Sequence, residues 1–190
     1  YGPSNIKMTF AIEEPAERFA HRFDECLNEF HGRRLDIIFL DDPGYYYSGR
    51  IKVNELESDK RAGSIVIEAE CNPYKLEVTQ TDEYWLWDPF DFTNGVIREY
   101  SEITIDKKTT LEIISCAMPV RPQINTSEPI KLTVKKDTET IISKNLSKGM
   151  NELPGLTMRS DGTGKSDKYK FTFEPSTETV ISVIFRGGRL

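Results

Sequence analysis

From Tyr84 onward the sequence offers no helical period; it offers short apolar runs cut by turn residues. The runs are YWLW, VIREYSEITI, TLEIIS, VRPQI, IKLTV, ETIIS, LTMRS, YKFTF and TVISVIF. Turn signals separate them at Asn94-Gly95, Asp106-Lys107-Lys108, Ser147-Lys148-Gly149, Asp161 to Asp167 and Glu174-Pro175-Ser176. Each run has the length of a strand, and glycine, proline and asparagine mark the places where the chain reverses. Many short strands at regular spacing can bury their apolar sides only against each other, which predicts a β-sandwich of jelly-roll type.

The first part of the chain reads differently. Ile6, Met8, Phe10 and Ile12 alternate with Lys7, Thr9 and Ala11, the period of a half-buried strand. Pro15 then opens a helix expected over about residues 15–31, with Phe19, Phe23, Leu27 and Phe30 along one stripe and Gly32 as its stop. Leu35 to Leu40, LDIIFL, is apolar on both faces after Asp36 and is expected to be a central strand beneath that helix. Asp41-Asp42-Pro43-Gly44 makes a tight turn, and an antiparallel ribbon follows. In its first strand Tyr45, Tyr47, Ile51 and Val53 share a face opposite Tyr46, Ser48, Arg50 and Lys52; in its second Ile65, Ile67, Ala69 and Cys71 lie opposite Glu68 and Glu70. One helix over a small sheet is an α+β arrangement. The expected fold is therefore mainly β in two domains, residues 1–80 and 81–190, with the boundary between about Lys75 and Asp82 where Asn72-Pro73 ends a strand.

Charge narrows the function. The net charge is −6; residues 1–80 hold 15 acidic and 10 basic side chains, and residues 81–190 hold 16 and 15. Acidic surfaces repel phosphates, so specific nucleic-acid binding is not expected. No apolar run reaches the length of a membrane span, so membrane insertion is not expected. Cys26, Cys71 and Cys116 are odd in number and widely spaced, unlike metal knuckles or a disulfide framework, and fit buried thiols.

Catalytic patterns fail one by one. Asp161-Gly162-Thr163-Gly164-Lys165-Ser166 ends like a phosphate loop, but Arg159 stands where that loop needs glycine and strands flank it. It also lacks the third acidic ligand and distal glutamate of a calcium loop. His21 and His31 are ten residues apart on one helix, hence on different faces. Asp88, Asp91, Glu99 and Glu102 are scattered as solubilising residues are, without a paired arrangement for glycoside hydrolysis. We expect no enzyme, no cofactor and no metal. Two sets of residues carry binding potential instead. Tyr46 and Arg50 should project from the wet face of the ribbon, and their types are enriched at subunit interfaces. Trp85 and Trp87 share one strand face; buried, they fill a core, and exposed, they stack on sugar rings.

The stretch DDPGYYYSGRIKV with its later CNPYK, and the closing TVISVIFRGGRL, resemble the distal tail protein (Dit) family of long-tailed bacteriophages. The resemblance implies a ring-forming N-terminal domain followed by a galectin-like sandwich, with further strands preceding Tyr1. It implies a structural role in the virion tail of a phage or prophage, made in the bacterial cytoplasm. The partners implied are copies of the chain in a hexameric ring, the tail tube protein, and the baseplate with its tail-associated lysin. The alternative is a carbohydrate-binding module holding host cell-wall glycans through Trp85 and Trp87. Galectin-type sites use histidine, and no histidine follows His31.

Overall fold

The computed structural model describes residues 2–58, 63–83, 100–160 and 168–190. The chain is mainly β, with a single α-helix among the described residues. It divides into two compact units, one of Tyr1–Leu40 with Tyr46–Lys75 and one of Asp41–Tyr45 with Leu76–Leu190.

The first unit opens with β1 (Ser4–Ile12), in which Ile6 and Met8 are half-buried while Asn5, Lys7 and Thr9 face water. Pro15, its φ fixed at −56°, starts a 3₁₀ turn over Ala16–Arg18 that runs into α1 (Phe19–Phe30). The expected stripe packs: Phe19 is 3% exposed, and Phe23, Leu27 and Phe30 join Cys26 against Ile51, Ile65 and Ile67 of the sheet. Gly32 ends the helix with a φ of +78°, a left-handed conformation costly for any residue with a Cβ, and its N–H donates to Ile51 O at 2.8 Å. Then come β2 (Arg34–Ile37), β3 (Tyr45–Ser58) and β4 (Gly63–Cys71). β4 pairs antiparallel with β1 and β3, and β2 pairs antiparallel with β3. The register sets Ile67 between Met8 and Val53, and Ala69 between Ile6 and Ile51, so one face of the sheet is apolar throughout.

The expectation of a central strand over Leu35 to Leu40 is not met. β2 stops at Ile37 and has β3 as its strand partner, while Ile38 is 52% and Leu40 97% exposed. A strand paired along one side has a solvated margin, and the chain leaves it to enter the Asp41–Gly44 turn.

In the second unit β5 (Lys75–Glu77) precedes β6 (Ile103–Ile105), β7 (Thr109–Ile114) and β8 (Gln123–Thr126). Next are β9 (Ile130–Lys136), β10 (Glu139–Leu146), β11 (Gly149–Glu152), β12 (Lys168–Pro175), β13 (Thr179–Ile184) and β14 (Gly188–Arg189). The eight strands β6 to β13 form two four-stranded antiparallel sheets, ordered β10-β9-β12-β7 and β11-β8-β13-β6, and β5 and β14 lie outside both. Leu132, Val134, Phe171, Phe173 and Ile113 of one sheet meet Ile124, Ile181 and Val183 of the other in one core, almost all without solvent contact. Each fully buried side chain of this size contributes about 1.5–3 kcal/mol, and this pooled burial makes the sandwich.

Several runs match strands, and the exceptions have physical reasons. VRPQI begins its ladder only at Gln123, because Pro122 has no N–H to give. LTMRS supplies an isolated bridge, Val120 to Met158, in place of a strand. β11 has no apolar alternation to announce it, since Met150 is 56% exposed. YWLW, Asn94-Gly95 and the Asp161 to Asp167 turn lie outside the described residues.

The closing RGGRL is accounted for by a clasp within this unit. Phe185 N–H donates to Thr81 Oγ1 at 2.8 Å, and the same hydroxyl donates to Val183 O at 2.8 Å. Arg186 donates to the carbonyls of Glu77 and Val78, and Arg189 stacks 4.0 Å from the Tyr45 ring centroid and reaches Asp42 at 3.3 Å. Thr81 is 2% exposed, so Thr81→Val keeps its shape but leaves a buried N–H without an acceptor. We expect that change to cost about 1–3 kcal/mol. Urea denaturation reads it, and an unchanged midpoint would show that the hydroxyl does not hold the clasp.

Candidate functional site: surfaces for assembly

The first unit leaves much apolar surface uncovered. Beside α1 a groove of about 510 Å³ is lined by Met8, Phe10, Ile12, Phe30, Leu35 and Ile37. Phe10 is 50% exposed, and Ile38, Phe39 and Leu40 continue the apolar surface beyond β2. A helix over a four-stranded sheet covers it incompletely, because one helix is about 10 Å wide and the strands together span more. At the rim, Arg22 donates to Glu14 at 2.6 Å and to Glu25 at 2.6 Å. The Arg22 guanidinium, by hydrogen bonding first of all, holds the Glu14 carboxyl below its usual range. Apolar walls with an ionic rim are the anatomy of a protein interface.

The opposite face of the sheet is polar. Arg50 is exposed, stands opposite Glu70 and Arg34, and donates from Nε to Gly32 O at 3.2 Å. Tyr46, four residues earlier on β3, is half-buried. Lys7, Lys52, Glu68 and Glu70 share a shallow concavity of about 690 Å³ with Arg50. Periodicity put both Tyr46 and Arg50 on the wet face, where Arg50 is exposed and Tyr46 only partly so; it could not find Ile38 to Leu40, because an apolar run reads as buried until its partners are known. Trp85 and Trp87 lie outside the described residues.

The chemistry-bearing residues take structural positions. His31 Nδ1 lies 3.2 Å from both the backbone N and the backbone O of Val53, within β3, so the ring is tied to the sheet. His21 lies 3.4 Å from Glu25 one turn along α1. The three cysteines are free; desolvation raises the Cys26 and Cys71 thiols above their ordinary range, which disfavours the nucleophilic thiolate. Among the described residues no three His, Cys, Asp or Glu side chains converge as metal ligands.

A helix-bearing sheet followed by a two-sheet sandwich defines a mainly β architecture whose open surfaces suit assembly. The chain has the fold of the Dit protein of phage SPP1, whose crystal structure is described as a paradigm of the hub adsorption apparatus in phages infecting Gram-positive bacteria. The likeness covers 99% of this chain and 79% of that chain, with a TM-score of 0.58 and 10% sequence identity. No protein-family model matches the sequence, and no curated protein matches it.

Proposed function

We propose that this chain is a non-enzymatic structural component of a phage or prophage tail tip, a distal tail protein. In this reading copies of it close into a hexameric ring that joins the tail tube to the baseplate and its tail-associated lysin. Residues 1–80 would supply the ring contacts, and the galectin-like domain of residues 81–190 would project outward. The observation that carries this is the likeness to a hub protein over 99% of the chain. The exposed Phe10, Ile38 and Leu40 support it, since a ring needs two different patches per subunit that meet around the axis, and large exposed apolar side chains fit such patches. Tyr46 and Arg50 are proposed as further contacts on the polar face.

The test is to place charge in these patches. Leu40→Asp removes almost no buried contact from the isolated subunit, where that side chain is 97% exposed, while Phe10→Asp acts at a side chain that is 50% exposed, so its fold is checked by circular dichroism. Each should weaken assembly by about 2 kcal/mol or more, read as a shift from ring to smaller species in sedimentation velocity. Rings that persist in both variants would exclude these residues from the interface.

A further inference from the structure

The outer face of the sheet β10-β9-β12-β7 is unlike the rest of this acidic chain. The register arranges it in rows across the strands. One row holds Glu112, Lys170, Lys135 and Thr140, and the next holds Thr110, Thr172, Thr133 and Ser143. A third holds Glu174, Lys131 and Asn145, with Lys108 joined to Glu174 at 2.7 Å. Five lysines, at 108, 131, 135, 168 and 170, face two glutamates, at 112 and 174, so the patch carries +3 on a chain of −6.

Stability does not explain this pattern. Lys170 stands directly opposite Lys135, and like charges directly opposite on a sheet destabilise it. The carboxylate that could relieve Lys170, Glu112, is engaged by Lys168 at 3.1 Å, while Glu174 is shared by Lys108 and Lys131. Lys135 and Lys170 have no ion pair among the described residues. Between the charged rows runs a band of hydroxyls, with Thr110 and Thr172 linked at 2.9 Å and Thr133 and Ser143 at 3.3 Å. Each hydroxyl retains hydrogen-bonding capacity toward solvent.

We propose that this face binds an anionic, polyhydroxylated polymer, a glycan or polyol chain carrying phosphate or carboxylate groups. Its anions lie between Lys135 and Lys170, and its hydroxyls exchange hydrogen bonds with the threonine band. A protein partner fits less well: interface cores favour aromatic side chains and arginine and are poor in lysine, and this face holds neither arginine nor an aromatic ring among the described residues. Single-stranded nucleic acid would lack a ring on which to stack. The proposal does not depend on ring assembly.

The experiment measures binding of the whole chain to polygalacturonate, phosphorylated dextran, neutral dextran, poly-glutamate and duplex DNA at low and physiological salt. We expect one or both charged glycans to bind, with affinity falling as salt rises, and poly-glutamate, DNA and neutral dextran to bind at least about tenfold more weakly. Lys135→Gln combined with Lys170→Gln should abolish glycan binding without lowering the thermal midpoint, since it removes a like-charged pair and adds none. Thr133→Val combined with Thr172→Val should weaken the glycans several-fold and leave poly-glutamate unaffected. Equal binding of neutral dextran, unchanged affinity in the lysine variant, or no binding to either charged glycan would overturn the proposal. Poly-glutamate or DNA binding as tightly as the glycans would overturn it in favour of an acidic protein or a nucleic acid.

Discussion

Replacing Phe171 by alanine is expected to destabilise the second unit by about 3–5 kcal/mol, the range for deleting a fully buried aromatic ring. Phe171 and its strand neighbour Phe173 are both 0% exposed, with ring centroids 6.5 Å apart. They sit on β12, which is flanked by β9 and β7, and the backbone cannot collapse into the vacated volume without breaking two ladders. A loss of that size takes a large share of the roughly 5–15 kcal/mol that holds a domain together. Chemical denaturation followed by circular dichroism would measure it. A loss below about 1 kcal/mol would mean that the sandwich core does not close over this ring.

The second large effect is expected from Gly49→Ala in the first unit. A Cβ at this position would lie 2.8 Å from Glu70 O and 2.9 Å from Cys71 Cα, both backbone atoms of the paired β4, and would also clash with Cys71 Sγ. Gly49 and Cys71 are the end pair of the β3–β4 ladder, but each is also paired on its other side, with Leu35 of β2 and Ser4 of β1, so this backbone cannot move aside as a side chain tip can and the strands must separate. About 3 kcal/mol is expected, at the upper end of overpacking costs. Gly2→Ala is the control, since nothing lies within 4 Å of a Cβ there. Equal thermal midpoints for the two variants would show that β3 and β4 do not approach so closely.

Much of this was legible in the sequence. Period-two alternation in SNIKMTFAI and SIVIEAEC placed β1 and β4, and the four, four and three spacing of Phe19, Phe23, Leu27 and Phe30 placed the helix face. In the second half, IKLTV, YKFTF and TVISVIF alternate cleanly, and their inward residues are the buried core. What could not be read depends on partners distant in sequence. LDIIFL looks central because it is apolar, yet β2 has one strand neighbour and Leu40 is open to water. The threonine and lysine rows emerge only when the register of four strands is known, because no single strand of that sheet is unusual. Likewise the RGGRL ending gives no sign of its contacts until Arg186 is seen donating to carbonyls more than a hundred residues earlier.

The mass of the protein in solution, followed by light scattering over a rising concentration series, tests the central claim most directly. The account predicts association toward a closed hexamer, driven by the uncovered apolar surface around Phe10 and Leu40. A strictly monomeric protein at the highest concentration would contradict it.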